Sequence, residues 1–250
     1  MFSLEIESDS AGRDLLIADL WEQECAGIVE LDDRRVRAFF EDTADREALL
    51  RRYPGAAVRI EEPRDWVQSA HDLLQPMLVG TRFFLVPEWR DDPTPPGRLR
   101  ITVNPGMAFG TGVHETTQLC LEALEDLLKP GMTVLDVGAG SGILSRAARL
   151  LGAARVFSCD IDPVAVSVAG EGFVGSVEAV CSGVADVTVA NISPEAIIQL
   201  APDLLRSLRP GGILLASGFE AHEVALVQAA LPPAREIRRK GTWTLAVVAA

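Results

Sequence analysis

The sequence predicts an α/β protein: a doubly wound, mostly parallel sheet in the longer C-terminal part, with a small α+β domain before it. Two observations carry this. From Leu99 onward, short and nearly continuous apolar strands alternate with helical patterns, as in sheets covered by helices on both faces. Before residue 62 the signals run strand, helix, strand, strand, helix, strand, an order that puts helices on one face of an antiparallel sheet.

The elements follow in order. FSLEIES (2–8) alternates like a strand, and residues 12–25 place Leu15, Leu16, Ala18, Leu20 and Trp21 at helical spacing. GIVELDD and RVRAFFE read as a hairpin around Asp32 and Asp33. TADREALLRRY reads as a helix with Thr43 as N-cap and Glu47 near the capping-box position, and AAVRIEE closes the unit with a strand. This βαββαβ order is that of a ferredoxin-like layer, assigned to residues 1–61. Residues 62–97 read as a connector: a helix over 63–80 broken near Pro76, the short strand RFFLVPEW, and the linker DDPTPPG. Residues 98–250 form the second domain. Its strands are RLRITVN, TVLDVGAG, ARVFSCDID, DVTVANIS, GGILLASGF and TWTLAVVAA. Its helices start at His114, Gly142, Pro194 and Glu223, with one short helix after Asp162.

Composition narrows the function classes. Hydrophobic residues make up 48% of the 250, enough for a substantial core. A net charge of −13 disfavours direct nucleic-acid binding, which needs clustered Lys and Arg, and suits a basic partner. Cys25, Cys120, Cys159 and Cys181 form no CxxC and read as reduced thiols. The N-terminus lacks a basic, then apolar, signal pattern, and no run of about 18 apolar residues exists to span a membrane. Cytoplasm is the default. His71, His114 and His222 lack metal spacing, so no metal site is expected.

Two glycine-rich stretches carry the chemistry. Asp136, Gly138, Gly140 and Gly142 lie where a strand feeds a helix, whose N-terminal N–H groups and glycines let a ligand approach the backbone. Position 143 is Ile, so the pattern is not the GxGxxG of dinucleotide sites. DxGxGxG instead resembles motif I of class I S-adenosylmethionine-dependent methyltransferases. Asp160 lies 22 residues after Gly138, where an acid can accept from both ribose hydroxyls, whereas Asp162 suits a helix cap ahead of Pro163.

The second stretch, NPGMAFGTGVHETT (104–117), followed by VLDVGAGSG, CDIDP and VANI, resembles the ribosomal protein L11 methyltransferase family over most of the chain. RDWVQSAHDLLQPMLVGTRFFLVPEW also looks like that family's linker, and the small N-terminal domain is similar to its substrate-recognition domain. The resemblance implies a seven-stranded methyltransferase sheet, a monomer, and N-methylation of α-amino and lysine ε-amino groups of ribosomal protein L11 by S-adenosylmethionine. By position, Thr117, Gly138, Gly140, Asp160 and Asn191 match cofactor contacts, and Phe109, Gly110, Thr111 and Gly112 match the loop over the cofactor. His114 reads first as a local hydrogen-bonding residue and second as a general base.

Methylation needs a neutral amine, and for lysine with a pKa of about 10.4 deprotonation at pH 7 costs on the order of 4–5 kcal/mol. Asn191 is the expected catalytic residue: its side-chain oxygen, with the Ile192 carbonyl, would accept amine hydrogens as in NPPY-like motifs, although Ser193 and Pro194 follow here. The alternative for Asn191 is a turn or cap ahead of Pro194. One segment departs from the family. Only 28 residues separate Asp162 from Asn191, a stretch the family commonly has longer, which puts the adenine pocket in question. Two rival readings stay open: methylation of another protein, such as an electron-transfer flavoprotein or a different basic protein, or a non-catalytic binding scaffold.

Overall fold

The computed structural model describes residues 1–7, 13–23, 25–32, 34–60, 75–104, 114–169 and 172–249. It divides into two compact units, Met1–Leu73 and Leu74–Ala250.

The first unit contains β1 (Phe2–Glu7), α1 (Arg13–Glu22), β2 (Gly27–Asp32), β3 (Arg35–Phe40), α2 (Arg46–Arg52) and β4 (Ala57–Ile60). Its sheet has the order β2-β3-β1-β4 with every pair antiparallel. Alternation along β1 sends Phe2, Leu4 and Ile6 into a core with Val36, Ala38 and Phe40 of β3, closed by Leu20 of α1 and Leu49 of α2. Phe2 faces Phe40 across the strands, their rings stacked 5.6 Å apart. On the opposite face Glu5 draws Arg35 (2.9 Å) and Arg37 (3.0 Å) of β3 and Arg59 (3.3 Å) of β4, cross-strand charge pairs that favour this register. Hydrogen bonding by Arg37 is the main reason the Glu5 carboxyl is held below its usual range. The cap of α2 is Asp45, which accepts from the Ala48 N–H at 3.0 Å, in place of the expected Thr43. Asp19 ties α1 to α2 by accepting from Arg52 and from the Tyr53 hydroxyl (2.7 Å).

The second unit starts earlier than the sequence indicates. Met77–Val79 (β5) and Phe83–Pro87 (β6) form a hairpin, and β6 pairs in parallel with β7 (Leu99–Val103). Part of the expected 62–97 connector is thus sheet within the second unit, while residues 61–74, with most of the expected connecting helix, lie outside the described residues. The same pairing removes RLRITVN from the main sheet.

That sheet has seven strands in the order β10-β9-β8-β11-β12-β14-β13. They are β8 (Thr133–Val137), β9 (Arg155–Asp160), β10 (Phe173–Val174), β11 (Ala185–Asn191), β12 (Leu208–Glu220), β13 (Glu236–Lys240) and β14 (Trp243–Ala249). All run parallel except β14, which is antiparallel to both neighbours. The helices are α3 (Glu115–Leu127), α4 (Ile143–Leu150), α5 (Pro163–Ala169), α6 (Pro194–Ser207) and α7 (Val224–Ala230). Neighbouring strand residues serve opposite faces. Val134, Val187, Val189 and Leu215 pack with residues of α3 and α4 in one core, whereas Leu135, Ala190, Leu214 and Ala216 pack with α6 and α7 in another. Strand order reverses between β8 and β11, so a crevice opens at their C-terminal ends, the place where ligands bind in open α/β sheets.

Candidate active site

The glycine loop enters that crevice from β8. Gly138, Gly140 and Gly142 have φ of +71°, +52° and +72°, a region that residues with a Cβ seldom occupy. Neighbours reinforce the choice at two of them. A Cβ on Gly138 would collide with Ile192 Cγ2, and one on Gly142 would lie 2.9 Å from the Ala169 Cβ. Gly140 has a polar task, donating its N–H to Asp160 Oδ2 at 2.9 Å. Gly142 caps α4 with no side-chain bond to the helix start.

Asp160, at the end of β9, also accepts from the Asp162 N–H through Oδ1 at 3.0 Å. Each of its oxygens keeps lone-pair capacity towards the crevice it lines. Asp162 instead accepts from the Val164 N–H at 2.8 Å and caps α5, with Pro163 as the first helical residue. Two residues before Gly138, the fully buried Asp136 accepts from the Ser145 hydroxyl at 2.7 Å through Oδ2, while its Oδ1 has no partner among the described residues. Burial pushes this carboxyl up to about 6.

The crevice holds a cavity of about 340 Å³ whose walls include Gly138, Asp160, Ile161, Ser176, Asn191 and Leu200. A second cavity of about 390 Å³ is bounded by His114, Thr116, Gly218 and Trp243, and it shares Asn191, Ile192 and Ser193 with the first. Residues 191–193 are therefore a common wall. Asn191 is half-buried, and its Nδ2 donates to Thr117 Oγ1 over 3.5 Å. It is not the cap of α6, because Ser193 fills that place by accepting from the Ala196 N–H at 3.3 Å. His114 caps α3, with Nδ1 3.3 Å from the Thr116 N–H and 2.8 Å from Thr116 Oγ1, and its ring meets Trp243 edge-on at 4.7 Å.

The matches to known proteins bear on this geometry. The family model described as ribosomal protein L11 methyltransferase (PrmA) matches residues 6–244. The chain belongs to that family. Among relatives named ribosomal protein L11 methyltransferase, that of Pelobacter propionicus is 38% identical over 251 residues, covering 86% of this chain and 81% of its own. That of Symbiobacterium thermophilum is 42% identical over 189 residues, covering 72% of this chain, and the match spans 62% of the relative's length. The crystal structure of ribosomal protein L11 methylase from Lactobacillus delbrueckii subsp. bulgaricus superposes with a TM-score of 0.65 at 30% identity, over 70% of this chain and 98% of that one.

The L11 methyltransferase family uses S-adenosylmethionine, and the first cavity fits that molecule on three counts. Its volume is within the range of roughly 300–1,000 Å³ usual for such ligands. Asp160 offers acceptors for ribose hydroxyls. The Ser176 hydroxyl, buried in the wall, has no hydrogen-bond partner among the described residues and can meet a polar ring edge. The short stretch after Asp162 still closes the cavity, with Gly175 and Ser176 following the two-residue β10.

Of the residues expected at the site, Thr117, Gly138, Gly140, Asp160 and Asn191 line this cavity. Phe109, Gly110, Thr111 and Gly112 lie outside the described residues. Ile161 and Ser176 also line this cavity, and Gly218 and Trp243 the second, without a signal in the sequence. GxGxG has a spacing to recognise, but a lone Ser after a two-residue strand or a Trp opening the last strand has none. Among the described residues no group of three or more His, Cys, Asp or Glu is placed to hold a metal, and no helix is long and apolar enough to cross a membrane.

Proposed function

We propose that this protein transfers methyl groups from S-adenosylmethionine to the α-amino group and lysine ε-amino groups of ribosomal protein L11. The observation that carries the reading is the common wall: Asn191 and Ile192 separate a cavity built on Gly138 and Asp160 from one bounded by Trp243 and His114. Bound in the first cavity, S-adenosylmethionine supplies a methyl on a cationic sulfur, open to in-line displacement by an amine lone pair.

The chain's residues do the rest. Gly138 and Gly140 admit the cofactor to the backbone, Asp160 takes the ribose hydroxyls, and Thr117 steadies the Asn191 amide. With its Nδ2 turned to Thr117, Asn191 keeps Oδ1 for an amine hydrogen, and the Ile192 carbonyl takes another. Two acceptors fix the direction of the nitrogen lone pair. Apolar walls favour the neutral amine that must react. Phe109 and Thr111 act from the stretch before α3, His114 serves as helix cap, and residues 1–61 select the protein substrate. The net charge of −13 supports a basic protein partner and argues against direct nucleic-acid contact, for a monomer acting in the cytoplasm.

The test is incubation with methyl-labelled S-adenosylmethionine and purified L11, followed by mass spectrometry. Methyl groups on the L11 N-terminus and lysines are the expected result. An unmodified L11 beside a labelled protein from whole-cell extract would refute the substrate assignment. Calorimetry showing no cofactor binding would replace the enzyme by a scaffold.

A further inference from the structure

Ile192 is flanked by two glycines, one just after β8 and one within β12. On one side Gly138, the residue after β8, leaves room for Cγ2 of its side chain. On the other Gly218 runs beneath its backbone: a Cβ there would lie 2.8 Å from the Ile192 carbonyl carbon, closer to its oxygen, and 3.1 Å from its nitrogen. The Ile192 N–H donates to the Ser217 carbonyl at 3.1 Å, so one end of the residue is pinned to β12 while its carbonyl crosses the next residue.

Gly218 has φ of +105°, outside even the left-handed well that Asn and Asp tolerate. It falls at an irregularity in the β12–β14 pairing, which shifts register between Ser217 and Phe219. Such bulges re-aim local groups and are frequent beside active sites. Here the Ser217 hydroxyl donates to the Thr244 carbonyl at 2.9 Å, anchoring the irregularity to the residue after Trp243. Gly218, Ile192 and Trp243 all border the second cavity.

We propose that Gly218 is a positioning residue for methyl transfer: the bulge it makes in β12 seats the Ile192 carbonyl in the wall between the cavities, aimed to accept a hydrogen from the incoming amine. This rests on the functional reading above and adds to it a residue that need not touch cofactor or substrate. It also separates the two glycines, since Gly138 serves the cofactor side and Gly218 the amine side.

The experiment is Gly218→Ala, assayed with labelled S-adenosylmethionine and L11, alongside a thermal melt and calorimetric cofactor titration. Displacing the acceptor by about 1 Å should lower kcat on the order of 100-fold. Cofactor affinity and KM for L11 should stay within roughly threefold, less than the tenfold that one well-made contact is worth. A folded variant with wild-type kcat overturns the proposal, and so does a cofactor affinity that falls in step with kcat. If Gly218→Ala does not fold, Ser193 is replaced by its α-hydroxy analogue, which turns the Ile192 carbonyl into an ester, a weaker acceptor, and leaves Gly218 intact. There kcat should fall roughly tenfold at unchanged cofactor affinity, and an unchanged kcat refutes the role. Wild-type protein that binds cofactor yet leaves L11 unmethylated refutes the functional reading itself, and this role with it.

Discussion

Asn191→Ala separates stability from turnover. The Asn191 side chain makes one hydrogen bond among the described residues, to Thr117, at the long limit of 3.5 Å. A well-made bond contributes about 0.5–1.5 kcal/mol net, so this one is at or below the bottom of that range. Ser193 and Pro194 begin α6 without help from Asn191. Truncation should therefore shift Tm by no more than about 2 °C, given about 2–4 °C per kcal/mol for a chain of this size. The effect on catalysis is far larger. With one acceptor of two removed, the amine can rotate out of line, and a misplacement of about 1 Å costs on the order of 100-fold, close to 3 kcal/mol of barrier. The assay is initial-rate methyl transfer to L11 with the cofactor saturating, its affinity measured separately by calorimetry. A folded variant that keeps wild-type kcat would refute the reasoning, because the amine would then be oriented by something else.

Asp160→Ala removes the acceptor for the Gly140 and Asp162 N–H groups and, with it, the proposed ribose contact. Calorimetry should show cofactor binding weakened by roughly tenfold or more, about 1.4 kcal/mol per tenfold, and unchanged affinity would exclude Asp160 from the site. Ser176→Ala deletes a hydroxyl that has no partner in the described fold, so Tm should hold or rise while cofactor affinity drops by roughly three- to tenfold. A drop in Tm without loss of affinity would make Ser176 structural. For Asp136 the carboxyl titrates higher folded, at about 6, than unfolded, at about 3.9. Its favourable contribution is therefore complete below about pH 4 and is lost as pH rises through about 6, an effect of about 3 kcal/mol. Asp136→Asn should flatten this part of the Tm profile between pH 4 and 6, and parallel profiles for the two proteins would contradict the assignment.

What could be read in the sequence was whatever has a period or a fixed offset. The strand before Gly138, the helix after it and the acid at position 160 follow from a nearly continuous apolar run, the pattern after it and spacing. The strand, the helix and an acid at the end of β9 appear where expected. Elements stabilised by tertiary pairing were not legible. β13 reads EIRRK, without an apolar face, because Arg238 and Lys240 form ion pairs with Asp126 and Glu122 of α3. β10 has two residues, too few for any alternation. β7 has an ordinary strand pattern, yet its pairing with β6 keeps it out of the main sheet, and periodicity says nothing about partners. At the site the same limit applies: Gly218 is significant only because Ile192, 26 positions away, crosses over it.

Crowding of the glycine loop by the protein's own atoms bears on how such motifs evolve. Gly138 and Gly142 are constrained by Ile192 and Ala169 whether or not a ligand ever enters. A descendant that gave up catalysis would still lose stability by replacing either one, and a motif scan would still score it as an enzyme. Ser176, whose hydroxyl has no partner in the described fold, is free to drift once selection on the ligand ends. Decay of function would thus show at positions such as 176 and 191, whose side chains the fold hardly needs, and the glycine signature would outlast the activity.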